Sequence, residues 1–138
     1  MKNVLLKSAV AASVFFSSWA IAGGHMMSVI GMDQDVSGGT VTASEVKSEQ
    51  NGWLVVHRTD GTGKPGPVVG YSPLRKGLNT DVVAILTEEI AKGDRLMLML
   101  HGEEGGNSAG IFEYTLGAKE DGPIKRQGKL VMSIITAQ

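Results

Sequence analysis

Cysteine is absent from the 138-residue chain. That excludes disulfide support, thiolate metal cages and the blue electron-transfer copper site, whose short copper–sulfur bond needs a Cys ligand. Aromatic residues are sparse, at 5%, and no run of Lys and Arg occurs, so neither nucleic acid nor an anionic membrane surface is expected as the main partner. The length leaves room for one domain and one core, not for a two-domain enzyme. What is abundant is glycine. The 19 glycines are about twice the usual share, and they are spread along the chain as a series of turns requires.

A long hydrophobic run is also missing. The apolar stretch Val10 to Phe16 is interrupted by Ser13, followed by Ser17 and Ser18, and is too short to span a hydrocarbon layer. With Lys2 and Lys7 ahead of it and Ala20-Ile21-Ala22 behind, residues 1–22 read as a secretory signal peptide. No twin arginine precedes the run and no Cys follows the cleavage position, so general secretion without a lipid anchor is expected. Removing 22 of the 138 residues leaves 116, with 11 basic side chains against 14 acidic ones. The expected product is periplasmic or secreted and has no membrane span in its mature form. It comprises a tail over residues 23–27 and one folded domain over residues 28–138.

Short apolar or β-branched runs recur between glycine-bearing breaks, and few stretches keep helical spacing. Strands are predicted near Met27–Met32, Thr40–Lys47, Trp53–Arg58, Val68–Ser72, Asp81–Leu86, Arg95–His101, Gly110–Leu116 and Lys129–Thr136. Thr87 to Gly93 could add one helical turn, with Thr87 as its cap. Seven or eight short strands cannot be buried as one open sheet, so the fold class is all-β, an Ig-like two-sheet β-sandwich, with a closed barrel as the alternative.

A string of motifs carries a resemblance. Asn51-Gly52-Trp53-Leu54-Val55-Val56-His57, Gly63-Lys64-Pro65-Gly66, Val69-Gly70-Tyr71-Ser72, the Leu96 to His101 run and Asp121-Gly122-Pro123 follow one another in order. Over Ser28 to Ala137 the chain resembles a family of secreted Ig-like β-sandwich domains of unknown function found in archaeal and bacterial surface proteins. The resemblance implies the fold and an exported location, and no reaction. Members often carry His where this chain has Asn79.

Several motifs look like chemistry and fail in context. Gly61-Thr62-Gly63-Lys64-Pro65-Gly66 matches the dinucleotide fingerprint, but Pro65, Pro67 and a β-branched run replace the helix that must follow. Gly106-Asn107-Ser108-Ala109-Gly110 has nucleophile-elbow spacing without the strand-to-helix turn. Asp33-Gln34-Asp35-Val36-Ser37-Gly38 begins like a calcium loop, yet its twelfth position is Ser44 instead of a bidentate Glu. Glu88-Glu89 and Glu103-Glu104 read as solvated loop charge.

Two groups of residues suit copper. Cleavage after Ala22 would expose Gly23-Gly24-His25, whose amine, two amides and imidazole can close the square plane that copper(II) prefers. Met26 and Met27 follow with soft thioethers. In Arg95 to His101, period two places Met97, Met99 and His101 on one face and three leucines on the other. Trp53, Val55 and His57 share a face in another strand, which could bring His57 towards Met99 and His101. The competing explanation is a second apolar layer in which both histidines are packed and hydrogen-bonded. The expected function is a non-enzymatic, exported copper-binding protein for sequestration or delivery, chiefly through Gly23, Gly24 and His25. A metal-handling or envelope protein is its expected partner. The alternative is a metal-free recognition or structural module that binds protein or glycan.

Overall fold

The computed structural model describes residues 26–138. The strands are β1 (Ser28–Gly31), β2 (Thr40–Ser48), β3 (Gly52–Thr59), β4 (Val68–Leu74), β5 (Gly77–Ile85), β6 (Arg95–Gly102), β7 (Lys125–Arg126), β8 (Lys129–Leu130) and β9 (Met132–Thr136). They form a three-stranded sheet in the order β1-β2-β5, a four-stranded sheet in the order β4-β3-β6-β9 and the small β7-β8 hairpin. All paired strands are antiparallel. The protein is an all-β two-sheet sandwich.

Period two explains how the sheets close on each other. Val41, Ala43, Val46, Val82 and Ala84 point inward from one sheet, and Leu54, Val56, Val69, Leu96, Leu98, Leu100 and Ile135 from the other. In β2 the inward series steps from Ala43 to Val46, three positions instead of two. The β2–β5 register passes over Ser44 and Asp81 at this point, and Asp81 adopts φ 49°. This irregularity keeps Val46 in the core rather than turning it to solvent.

Five sequence expectations need correction. Gly110–Leu116 is not a strand; it lies in the irregular segment between β6 and β7. Lys129–Thr136 divides into β8 and β9 around Val131, and β5 begins at Gly77 rather than Asp81. Thr87–Gly93 contains no helix. Arg58 pairs with Glu88 and with Asp94 just beyond the segment and donates to the Glu89 carbonyl, so Glu88 is not simply solvated.

The four-stranded sheet is covered twice. Its leucine face meets the other sheet, while Glu103–Ile124, which contains no regular strand, folds over its outer face. Phe112 and Tyr114 lie over that face, with the Phe112 ring centroid 5.4 Å from Trp53 and the Tyr114 centroid 4.6 Å from His101. Residues of β3 and β6 are therefore buried on both sides, with Val55, His57, Met97, Met99 and His101 all at 0% exposure.

Candidate metal centre

The site grows out of the β3–β6 register. Three cross-strand pairs stack along the outer face: Trp53 with His101, Val55 with Met99 and His57 with Met97. The two histidines sit diagonally on either side of the Val55–Met99 row, and their rings reach toward each other across it. Their Nε2 atoms are 3.3 Å apart, with ring planes inclined by 29°. Met132 of β9 is the partner of Met99 and brings a further thioether to the same face.

The remaining ring nitrogens determine what lies between the histidines. His57 Nδ1 is 2.8 Å from the Gly66 carbonyl oxygen, and His101 Nδ1 is 2.6 Å from the Asp121 carbonyl oxygen. A carbonyl can only accept, so each Nδ1 must carry the proton and donate it. In two neutral rings both Nε2 atoms then present lone pairs to each other at 3.3 Å. A proton or a metal cation between them turns this repulsion into attraction. Burial disfavours the proton. It pushes His101 down to about 4, outweighing the opposing Asp121 carbonyl bond, with the neighbouring His57 lowering it further. It lowers His57 as well, against the Gly66 carbonyl.

A cation fits the spacing. With metal–nitrogen bonds of about 2.0 Å, nitrogens 3.3 Å apart subtend roughly 110° at the ion, close to the tetrahedral angle. Among the described residues, no three His, Cys, Asp or Glu side chains converge as a metal-binding group. The same face carries the thioethers of Met97 and Met99.

Close backbone packing surrounds the histidines. A Cβ on Gly66 would lie 2.6 Å from the Arg58 carbonyl oxygen, so no larger residue fits there without moving the His57 acceptor. Gly52 opposes Gly102 in the ladder, and a Cβ there would collide with the carbonyl oxygen of His101. Asp121 adopts φ 47° and is fully buried. The ring of Tyr114 packs edge-on to both imidazoles, with centroids 5.9 Å from His57 and 4.6 Å from His101.

The predicted site residues divide into two groups. His57, Met99 and His101 come together on one buried face, joined by Met97. Gly23, Gly24 and His25 lie outside the described residues. Met26 is exposed, whereas Met27 packs against the inter-sheet core as a flexible hydrophobe. Sequence reasoning missed Asp121, Tyr114, Gly66 and Met132. The one available signal is the two-residue spacing of Phe112 and Tyr114, which places both rings on one side without forming a strand.

The other motifs take structural roles. Asp35 accepts from the Ser37 amide, Gln34 makes paired hydrogen bonds with the Thr42 backbone, and Asp33 accepts from the Thr136 amide. Glu103 accepts from the Trp53 indole and Glu104 from the Gln50 side chain.

Fold and site together define a small β-sandwich domain with a buried imidazole pair and thioethers under an irregular cover. The chain belongs to the family described as a domain of unknown function, DUF7282, which matches residues 27–138. The match includes His57, Met97, Met99, His101 and Asp121 and begins after His25. No curated protein and no solved structure matches the chain.

Proposed function

We propose that this domain binds one copper ion between His57 and His101 and serves in copper sequestration or delivery. The observation that carries the reading is the pair of Nε2 atoms 3.3 Å apart, with each Nδ1 committed to a backbone carbonyl. Two imidazoles among Met97, Met99 and Met132 make a nitrogen and thioether donor set, which suits soft copper(I) better than zinc or calcium. Met99 is the proposed third ligand because it occupies the row between the histidines. The burial of both histidines supports handling rather than catalysis.

The charged start and small-residue cleavage pattern of residues 1–22 support an exported, Ig-like domain in the periplasm or outside the cell. Delivery there implies a metal-handling or envelope protein as recipient. If export frees Gly23, the Gly23-Gly24-His25 terminus adds a separate copper(II) site. A metal-free recognition module is the second reading, favoured by one observation. Tyr71 is 47% exposed and lines a surface cleft with exposed Val83 and Ile85.

Competition titration of the reduced, metal-free protein against a coloured copper(I) chelator tests the proposal. One ion should bind per chain, His57→Ala and His101→Ala should each weaken binding at least thousandfold, and His25→Ala should leave it unchanged. Because the internal site exists only in the folded state, copper(I) should also raise the melting temperature. Undiminished binding in both internal variants would overturn the assignment.

A further inference from the structure

Asp121 ties distant points of the Glu103–Ile124 cover together. Asp121 Oδ1 accepts from the Glu104 amide at 3.1 Å and Oδ2 from the Glu113 amide at 2.8 Å. Its own amide donates to the Glu104 carbonyl at 2.8 Å. The Asp121 carbonyl receives the His101 Nδ1 proton at 2.6 Å. One buried residue thus joins two distant points of the cover to each other and to a proposed copper ligand.

Its charge is also notable. The three ion pairs among the described residues do not involve Asp121, so this buried carboxylate is held by backbone amides alone. A buried anion without a cation is costly. A copper ion bound to two neutral imidazoles would place positive charge in the same layer.

We infer that Asp121 is a positioning residue that couples closure of the Glu103–Ile124 cover to retention of the metal. The inference rests on the reading of His57 and His101 as the copper site. Its carbonyl fixes the tautomer and direction of the His101 ring, as outer partners of metal-bound histidines do. Its carboxylate keeps Tyr114 over the pair by tying down Glu113, the adjacent residue. The ion enters and leaves when these amide bonds open. By linkage, a bound ion must in turn hold the cover shut.

The test has two arms on the full-length exported protein. In the first, amide hydrogen exchange is measured on the wild type with and without copper(I). Exchange at the Glu104 and Glu113 amides should slow at least tenfold in the loaded protein. In the second, copper(I) release to excess chelator is timed for wild type and Asp121→Asn. Asn tolerates positive φ and keeps the backbone carbonyl, but cannot accept from both amides through two carboxylate oxygens. Release should be at least tenfold faster, with one ion still binding per chain. A loaded wild type whose Glu104 and Glu113 amides exchange at the metal-free rate overturns the inference, even if the variant does not fold. So does release from Asp121→Asn at the wild-type rate. In both cases the copper reading stands, whereas a wild type that takes up no copper(I) at His57 and His101 removes both.

Discussion

The two faces of the β3–β6 ribbon are built from alternate residues of the same two strands and meet very different partners. On one face Leu54, Val56, Leu96, Leu98 and Leu100 pack against a second sheet, whose position is fixed by backbone ladders. On the other, Trp53, Val55, His57, Met97, Met99 and His101 lie beneath an irregular segment held by Asp121, Glu113 and Phe112–Tyr114 packing. The leucine face packs sheet against sheet, and under the inference above the histidine face opens without separating the sheets. On that account the proposed ion would exchange without unfolding of the protein.

The largest expected effect on stability lies on the leucine face. Leu98→Ala should lower the unfolding free energy by about 3–5 kcal/mol, measured by chemical denaturation, because it leaves a cavity between the sheets. Copper(I) stoichiometry should stay at one per chain. Loss of stoichiometry in the folded variant would mean that the two faces are not independent.

Acid acts next, through the other face. Above pH 6.5, the ordinary value for histidine, the His101 ring is neutral in both folded and unfolded chains, and the folded protein keeps its full stability. As pH falls towards about 4, the unfolded chain takes up a proton that the buried ring resists. The metal-free protein should lose about 3 kcal/mol across this window, with His57 acting in the same direction. Equal denaturation midpoints at pH 7.5 and pH 4.5 would show that the histidine face is not sealed.

The smallest change separates binding from packing. Met99→Leu conserves volume and should cost under about 1.5 kcal/mol of stability, while copper(I) binding in the chelator competition should weaken about tenfold. Unchanged affinity would remove Met99 from the ligand set and leave Met97 or Met132 to supply the sulfur.

Much of this arrangement was legible in the sequence because alternation is a local property. Arg95 to His101 alone placed three leucines opposite Met97, Met99 and His101, and Trp53 to His57 did the same for the neighbouring strand. The cover was not legible. Gly110–Leu116 has the composition of a strand, but it joins no sheet, and the two-residue spacing instead serves to set Phe112 and Tyr114 on one side. The histidine acceptors were hidden for another reason. Gly66 lies nine positions from His57 and Asp121 twenty from His101, and no local pattern says which loop carbonyl will meet an imidazole. The N-terminal group was the reverse case. Gly23-Gly24-His25 could be read directly as a chelate, but its chemistry depends on a cleavage event and not on the fold.

X-ray absorption spectroscopy of the copper(I)-loaded protein tests the central claim most directly. Two imidazole nitrogens and one thioether sulfur should surround the ion in wild type, and the imidazole signature should fall to one in His101→Ala. A spectrum without paired imidazoles, or one identical in wild type and His101→Ala, would contradict the placement of copper between His57 and His101.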